Sequence, residues 1–113
     1  MSQRKTINSS ASFVSGEVRL AALTWTPLVA TSTACAQVRI SAPNANSPHG
    51  ALNTGIVLVL EATSQPTGTN NSAGAMVLPN SSTGATFLPI GDASNLWLFA
   101  ISANDSVEYC IYQ

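Results

Sequence analysis

Short apolar runs, several of them alternating with polar residues, recur along this chain between clusters of Gly, Pro, Asn and Ser. A period of two puts successive side chains on opposite faces of an extended strand. The cleanest case is residues 34–42, with Ala36, Val38 and Ile40 on one face and Cys35, Gln37 and Arg39 on the other. Residues 55–63, GIVLVLEAT, are apolar without alternation and predict a central strand buried on both faces. Residues 17–30, EVRLAALTWTPLVA, also read as strand, and Pro27 marks an edge, a bulge or a break because it has no N–H for the ladder. Residues 75–79 and 85–90 predict short strands around the polar turn 80–84. The runs LWLFAIS (96–102) and VEYCIYQ (107–113) predict a hairpin turning at Ala103-Asn104-Asp105-Ser106. Stretches 41–54 and 64–74 carry loop chemistry, and the helical expectation is limited to a turn around 91–95.

Seven to eight such strands predict an all-β fold, a small antiparallel β-sandwich or jelly roll over residues 17–113. Its core should include Val38, Ile40, Ile56, Leu58, Leu60, Leu96, Leu98 and Ala100. Residues 1–16 are mostly polar, with Ile7, Phe13 and Val14 as isolated anchors, and read as an extended N-terminal arm. Ordering a residue costs about 1–2 kcal/mol, which so polar a segment cannot offset alone. The arm is therefore expected to bind a partner, through Arg4, Lys5, Ile7 and Phe13, by strand addition or by insertion into a groove. The competing expectation is an edge strand of its own sandwich.

Composition sharpens this picture. The chain is 45% hydrophobic but only 8% charged, against about 25% charged in an ordinary domain. So little charge suits a surface that is covered by other copies or by a larger partner, and a homodimer or homotrimer is expected. Net charge is −1, and the cations Arg4, Lys5, Arg19 and Arg39 are too few and scattered for the basic stripe of a nucleic-acid binder. No apolar run approaches the ~18 residues of a membrane span. Arg19, the apolar stretch 20–30 and Ala34-Cys35-Ala36 imitate a secretion signal, but Thr24, Thr26 and Pro27 break it and the strand reading is preferred. Synthesis in a cytoplasm is expected, with Cys35 and Cys110 as free thiols that approach only if their strands are neighbours. Arg39 would then be placed to pair with Glu108.

Catalytic chemistry finds no support in the motifs. His49 is the single histidine and stands in a Pro-His-Gly turn, with no nucleophile elbow to serve. The carboxylates Glu17, Glu61, Asp92, Asp105 and Glu108 lie in no motif, and Asn104 and Asp105 read as turn caps rather than calcium ligands. The glycines open no phosphate cradle. The expectation is a non-enzyme with no catalytic residues, no metal and no cofactor. Of the aromatic residues, Trp97 shares a strand face with Phe99 and Ile101, opposite Leu96, Leu98 and Ala100. Both faces of that strand are apolar, so one of them meets a second layer or a partner, and Trp97, Phe99 and Ile101 join the candidate partner-binding residues. A sugar platform would instead require Trp25, Trp97 or Tyr112 to be exposed in a groove.

The order of these segments resembles the small all-β decoration, or cement, proteins of tailed-bacteriophage capsids. An opening strand ends in Pro27-Leu28-Val29-Ala30, a core strand reads Gln37-Val38-Arg39-Ile40, and a central strand reads Ile56-Val57-Leu58-Val59-Leu60. A polar loop leads into Phe87-Leu88-Pro89-Ile90-Gly91 and the closing LWLFAISANDSVEYCIYQ. The resemblance covers residues 22–113 and extends to host-recognition and tail proteins of phages. It implies a virion protein on the capsid exterior that binds the major capsid protein and stabilises subunit junctions, with no catalytic residues to carry over. The alternative from another class is a carbohydrate- or receptor-binding module of a virion or a secreted protein.

Overall fold

The structure is a computed structural model that describes residues 12–43, 52–67, 75–78 and 85–113. It is a sandwich of two four-stranded sheets. The strands are β1 (Phe13–Arg19), β2 (Trp25–Pro27), β3 (Gln37–Ser41), β4 (Val57–Glu61), β5 (Met76–Leu78), β6 (Thr86–Leu88), β7 (Leu96–Ala100) and β8 (Ser106–Tyr112), with a 3-10 turn at Ala93–Asn95. The first sheet has the order β1-β8-β3-β6 and the second β2-β7-β4-β5. Every strand pair is antiparallel. Consecutive strands pass from one sheet to the other at each step except β4 to β5.

Alternation sets the core. Val38 and Ile40 of β3 face inward with Val107 and Ile111 of β8, against Val57 and Val59 of β4 and Leu96, Leu98 and Ala100 of β7. Leu20, Leu28, Leu78 and Ile90 complete this cluster. Ile56, Leu58 and Leu60 do not belong to it: Leu58 and Leu60 lie on the outer face of the second sheet, and Ile56 is exposed. Because GIVLVLEAT is apolar at every position from 56 to 60, its pattern could not tell which of its two faces meets the other sheet.

The expected hairpin 96–113 is also corrected. β7 pairs with β2 and β4, whereas β8 pairs with β1 and β3 in the opposite sheet. The turn residues are as expected, with Asn104 in the left-handed region at φ 69, but the reversal is an arch between layers. Asp105 secures it. Its buried carboxylate accepts from the Thr54 N–H at 2.8 Å, the Thr54 hydroxyl at 3.2 Å and the Gly55 N–H at 2.9 Å. Next to it, the buried Asn53 side chain donates to the Ser106 carbonyl at 2.9 Å and accepts from the Ser106 N–H at 2.8 Å, as a ladder residue would. The Leu20 N–H donates to the Asp105 carbonyl and the Asn104 N–H to the Leu20 carbonyl, so three segments meet at this arch.

The segment 17–30, expected as strand structure, is divided. β1 ends at Arg19, Leu23 turns through a positive φ of 57, and β2 resumes at Trp25. Pro27 is in β2, which is an edge strand, as its missing N–H requires. The domain boundary also moves. Residues 13–16 belong to β1, with Phe13 opposite Tyr112 and Gly16 opposite Tyr109. Arg4, Lys5 and Ile7 lie outside the described residues.

At the other end of the sandwich, Asp92 ties two loops together. It accepts from the Ser32 hydroxyl, the Thr33 N–H at 2.9 Å, the Ser94 hydroxyl at 2.8 Å and the Ser94 N–H at 2.9 Å. These donors, Ser32 first, hold its carboxyl well below the usual carboxylate range. A folded-state value below the unfolded one gives stability that is present above about pH 4 and lost as pH falls toward the lowered value. The urea midpoint of the wild-type chain should therefore fall on acidification from about pH 4 to pH 2. Asp92→Asn should start from a lower midpoint at neutral pH and lose less on acidification. Parallel acid slopes for the two chains would show that Asp92 does not carry this dependence.

Candidate binding surfaces

The two outer faces of the sandwich differ in chemistry. On the second sheet the outward strand positions are Trp25 and Pro27 of β2, Trp97 and Phe99 of β7, Leu58 and Leu60 of β4 and Val77 of β5. All are apolar. Trp25, Leu58 and Phe99 form a second cluster in which the Trp25 and Phe99 rings lie 5.0 Å apart. The segment after β4 reaches over this face: Trp97 Nε1–H donates to the Ala62 carbonyl at 2.9 Å and the Gln65 amide to the Trp25 carbonyl at 2.9 Å. Phe99 packs with Trp25 and Leu58 and is only 3% exposed, so it is removed from the candidate partner-binding residues. Trp97 is half-buried. Ile101 is 51% exposed, and Leu23, Ile56 and Val77 are exposed with it. The Val57–Ala100 pairing brings Ile56 and Ile101 to the same end of the sheet.

The first sheet's outer face is mixed. Its outward positions run through Phe13, Ser15, Glu17 and Arg19 on β1, Glu108, Cys110 and Tyr112 on β8, Gln37, Arg39 and Ser41 on β3, and Phe87 on β6. Phe13, Tyr112 and Phe87 make a row of rings. The Phe13–Tyr112 and Phe87–Tyr112 centroids are each 6.4 Å apart, the second pair stacked at 28°. Phe13 is 66% and Phe87 54% exposed. Gln37 lies opposite Tyr112, and Arg39 lies between Cys110 and Phe87. Hydrogen bonding to the Cys110 thiol, then desolvation, holds the Tyr112 phenol above its usual range, so it stays protonated at neutral pH.

Arg39 and Glu108 form no ion pair, although their strands are neighbours; Arg19 pairs with Glu17 at 4.0 Å instead. Glu108 sits directly across from Glu17, and its Oε2 is buried with no hydrogen-bond partner. Cys35 and Cys110 are free thiols. Cys35 packs against the core and donates to the Ile90 carbonyl at 3.0 Å, and burial pushes its thiol up.

A cleft of about 240 Å³ opens at the β5 and β6 edges, where Val59, Met76, Leu88, Ile90 and Leu96 surround a single carboxylate, Glu61. One charged group does not make a catalytic constellation. Among the described residues no three His, Cys, Asp or Glu side chains come together as a metal site. His49 lies outside the described residues. Asp92 and Asp105 spend their hydrogen-bonding capacity on loops of their own chain.

No family model, no curated protein and no solved structure matches the chain. Its surfaces therefore speak through their own chemistry. The sequence pointed to the β7 residues; it did not bring together Phe13, Tyr112 and Phe87, which stand on three strands far apart in the chain. The available signal was the parity of each ring on its own strand, which becomes a row only once the pairing order is known.

Proposed function

We propose that the chain is a virion structural protein that binds the exterior of an assembled phage capsid and stabilises subunit junctions. The observation that carries this reading is the set of exposed apolar residues Leu23, Ile56, Val77 and Ile101 around the second sheet's outer face, whose centre at Trp25, Leu58 and Phe99 is already packed within the chain. Stable contacts between subunits are apolar and depleted of charge, and these exposed residues carry none. The strand order supports the same reading. We read its winding as a jelly roll, an architecture that serves both viral capsid and lectin domains.

In this reading the apolar face docks on the major capsid protein or on a second or third copy of the chain, and Trp97 and Ile101 contribute to the contact. Arg4, Lys5 and Ile7, which precede β1 in the sequence, add contacts to a neighbouring subunit. Phe13 belongs to β1 and faces away from this contact. A partner that binds only the assembled shell stabilises it by mass action, and many symmetric copies multiply a modest contact. Nucleic acid, membrane and cofactor have no part in it.

The test is sedimentation of particles assembled in cells that make the chain. The chain should travel with icosahedral particles, and shells stripped of it should come apart at a lower temperature and recover when it is added back. A chain found only in the soluble fraction, with no effect on shell disruption, would refute the reading.

A further inference from the structure

We propose that the outer face of the first sheet is a binding site for a carboxylated sugar, seated on the Phe13–Tyr112–Phe87 row with its carboxylate on Arg39. This goes beyond the capsid reading, which uses the opposite face. The rings supply stacking surface. Phe13 and Phe87 are more than half exposed, and Tyr112 bridges them at 6.4 Å on either side. Such rings offer an apolar face to the C–H side of a sugar while the sugar's hydroxyls stay near polar groups. Those polar groups are in place. The Gln37 amide and the Tyr112 phenol lie opposite one another in the ladder and can bond ring hydroxyls.

Arg39 decides the class of sugar. It is exposed, its ladder neighbours are Cys110 and Phe87, and it makes no ion pair among the described residues. A guanidinium offers a planar fork that matches a carboxylate in two parallel hydrogen bonds. The two outward carboxylates of this face, Glu17 and Glu108, face each other towards the other end of β8, away from the Tyr112 end. Among the described residues the ring row itself carries no carboxylate, and Glu108, one register step from Arg39 on the side away from Tyr112, forms no ion pair with it.

Competing occupants fit less well. With Ser15, Glu17, Arg19, Gln37, Arg39, Ser41 and Glu108 beside the rings, this face is too polar for the centre of a protein interface. One arginine cannot supply the counterion release that nucleic-acid binding requires. Neither tryptophan takes part: Trp25 is buried and Trp97 is held to the Ala62 carbonyl, both on the other sheet.

The experiment is calorimetric titration of the intact chain with two acidic probes, an oligomer of galacturonic acid and an oligomer of N-acetylneuraminic acid. Maltohexaose serves as the neutral control. At least one acidic probe should saturate with a dissociation constant of about 1 mM or tighter. Maltohexaose should bind at least about tenfold more weakly. Arg39→Gln should bring the acidic probe down to the level of the neutral one, and Phe87→Ala should weaken both. Circular dichroism and melting temperature, expected to be unchanged in these exposed variants, verify their folding. Absence of saturation with both acidic probes would overturn the proposal. So would equal binding of maltohexaose, or acidic binding indifferent to both substitutions. None of these results bears on whether the opposite face binds a shell.

Discussion

Asp105→Ala should destabilise the chain by about 3 kcal/mol or more, the largest stability effect expected of a single polar substitution here. The carboxylate is 3% exposed and receives the Thr54 and Gly55 N–H groups and the Thr54 hydroxyl. Truncation removes the acceptor of two part-buried backbone donors and of the Thr54 hydroxyl, and a donor left poorly satisfied costs about 1–3 kcal/mol. For a domain of this length the loss corresponds to a melting point lower by roughly 10–20 °C. Asp105→Asn retains one acceptor oxygen and should fall between the two. Thermal and urea denaturation would check both variants. An Asp105→Ala chain melting within about 3 °C of wild type would mean that Leu20, Asn53 and Ser106 hold the arch without it.

That arch also shows how far the sequence could be read. The turn chemistry at Asn104-Asp105 was legible, because few residues tolerate a positive φ and few side chains bond neighbouring N–H groups so readily. The partnering of β7 and β8 was not. A turn signal reports that the chain reverses, and only the long-range contacts of Asp105 with Thr54 and Gly55, and of Asn53 with Ser106, place the returning strand in the other layer. The alternation at 37–41 likewise predicted Val38 and Ile40 as core without ambiguity. The unbroken apolar run 56–60 left its inner face undetermined, and the structure chose Val57 and Val59.

The surfaces follow the same division. Two apolar faces on β7 were visible in LWLFAIS, and one does meet the other sheet. The burial of Phe99 was not visible, since it depends on Trp25 and Leu58 from two other strands. The ring row of Phe13, Tyr112 and Phe87 was hidden for a related reason. It exists only because β8 and β3 stand between β1 and β6 in the sheet.

The second large effect concerns binding, and it separates the two faces. Ile101 and Phe87 are similarly exposed, at 51% and 54%, and lie on opposite sheets, so a glutamate at either should leave the fold intact. If the apolar face of the second sheet is the one that meets the shell, Ile101→Glu places an unpaired charge in the contact. It should then weaken shell binding at least about a hundredfold, or roughly 2.7 kcal/mol. Phe87→Glu should stay within about threefold of wild type. The direct measurement is co-sedimentation of the wild-type chain and each variant with stripped shells over a range of concentrations. The expected result is near-complete loss for Ile101→Glu beside near-normal binding for Phe87→Glu; normal binding of Ile101→Glu, or loss confined to Phe87→Glu, would contradict the assignment of the apolar face as the capsid-binding surface.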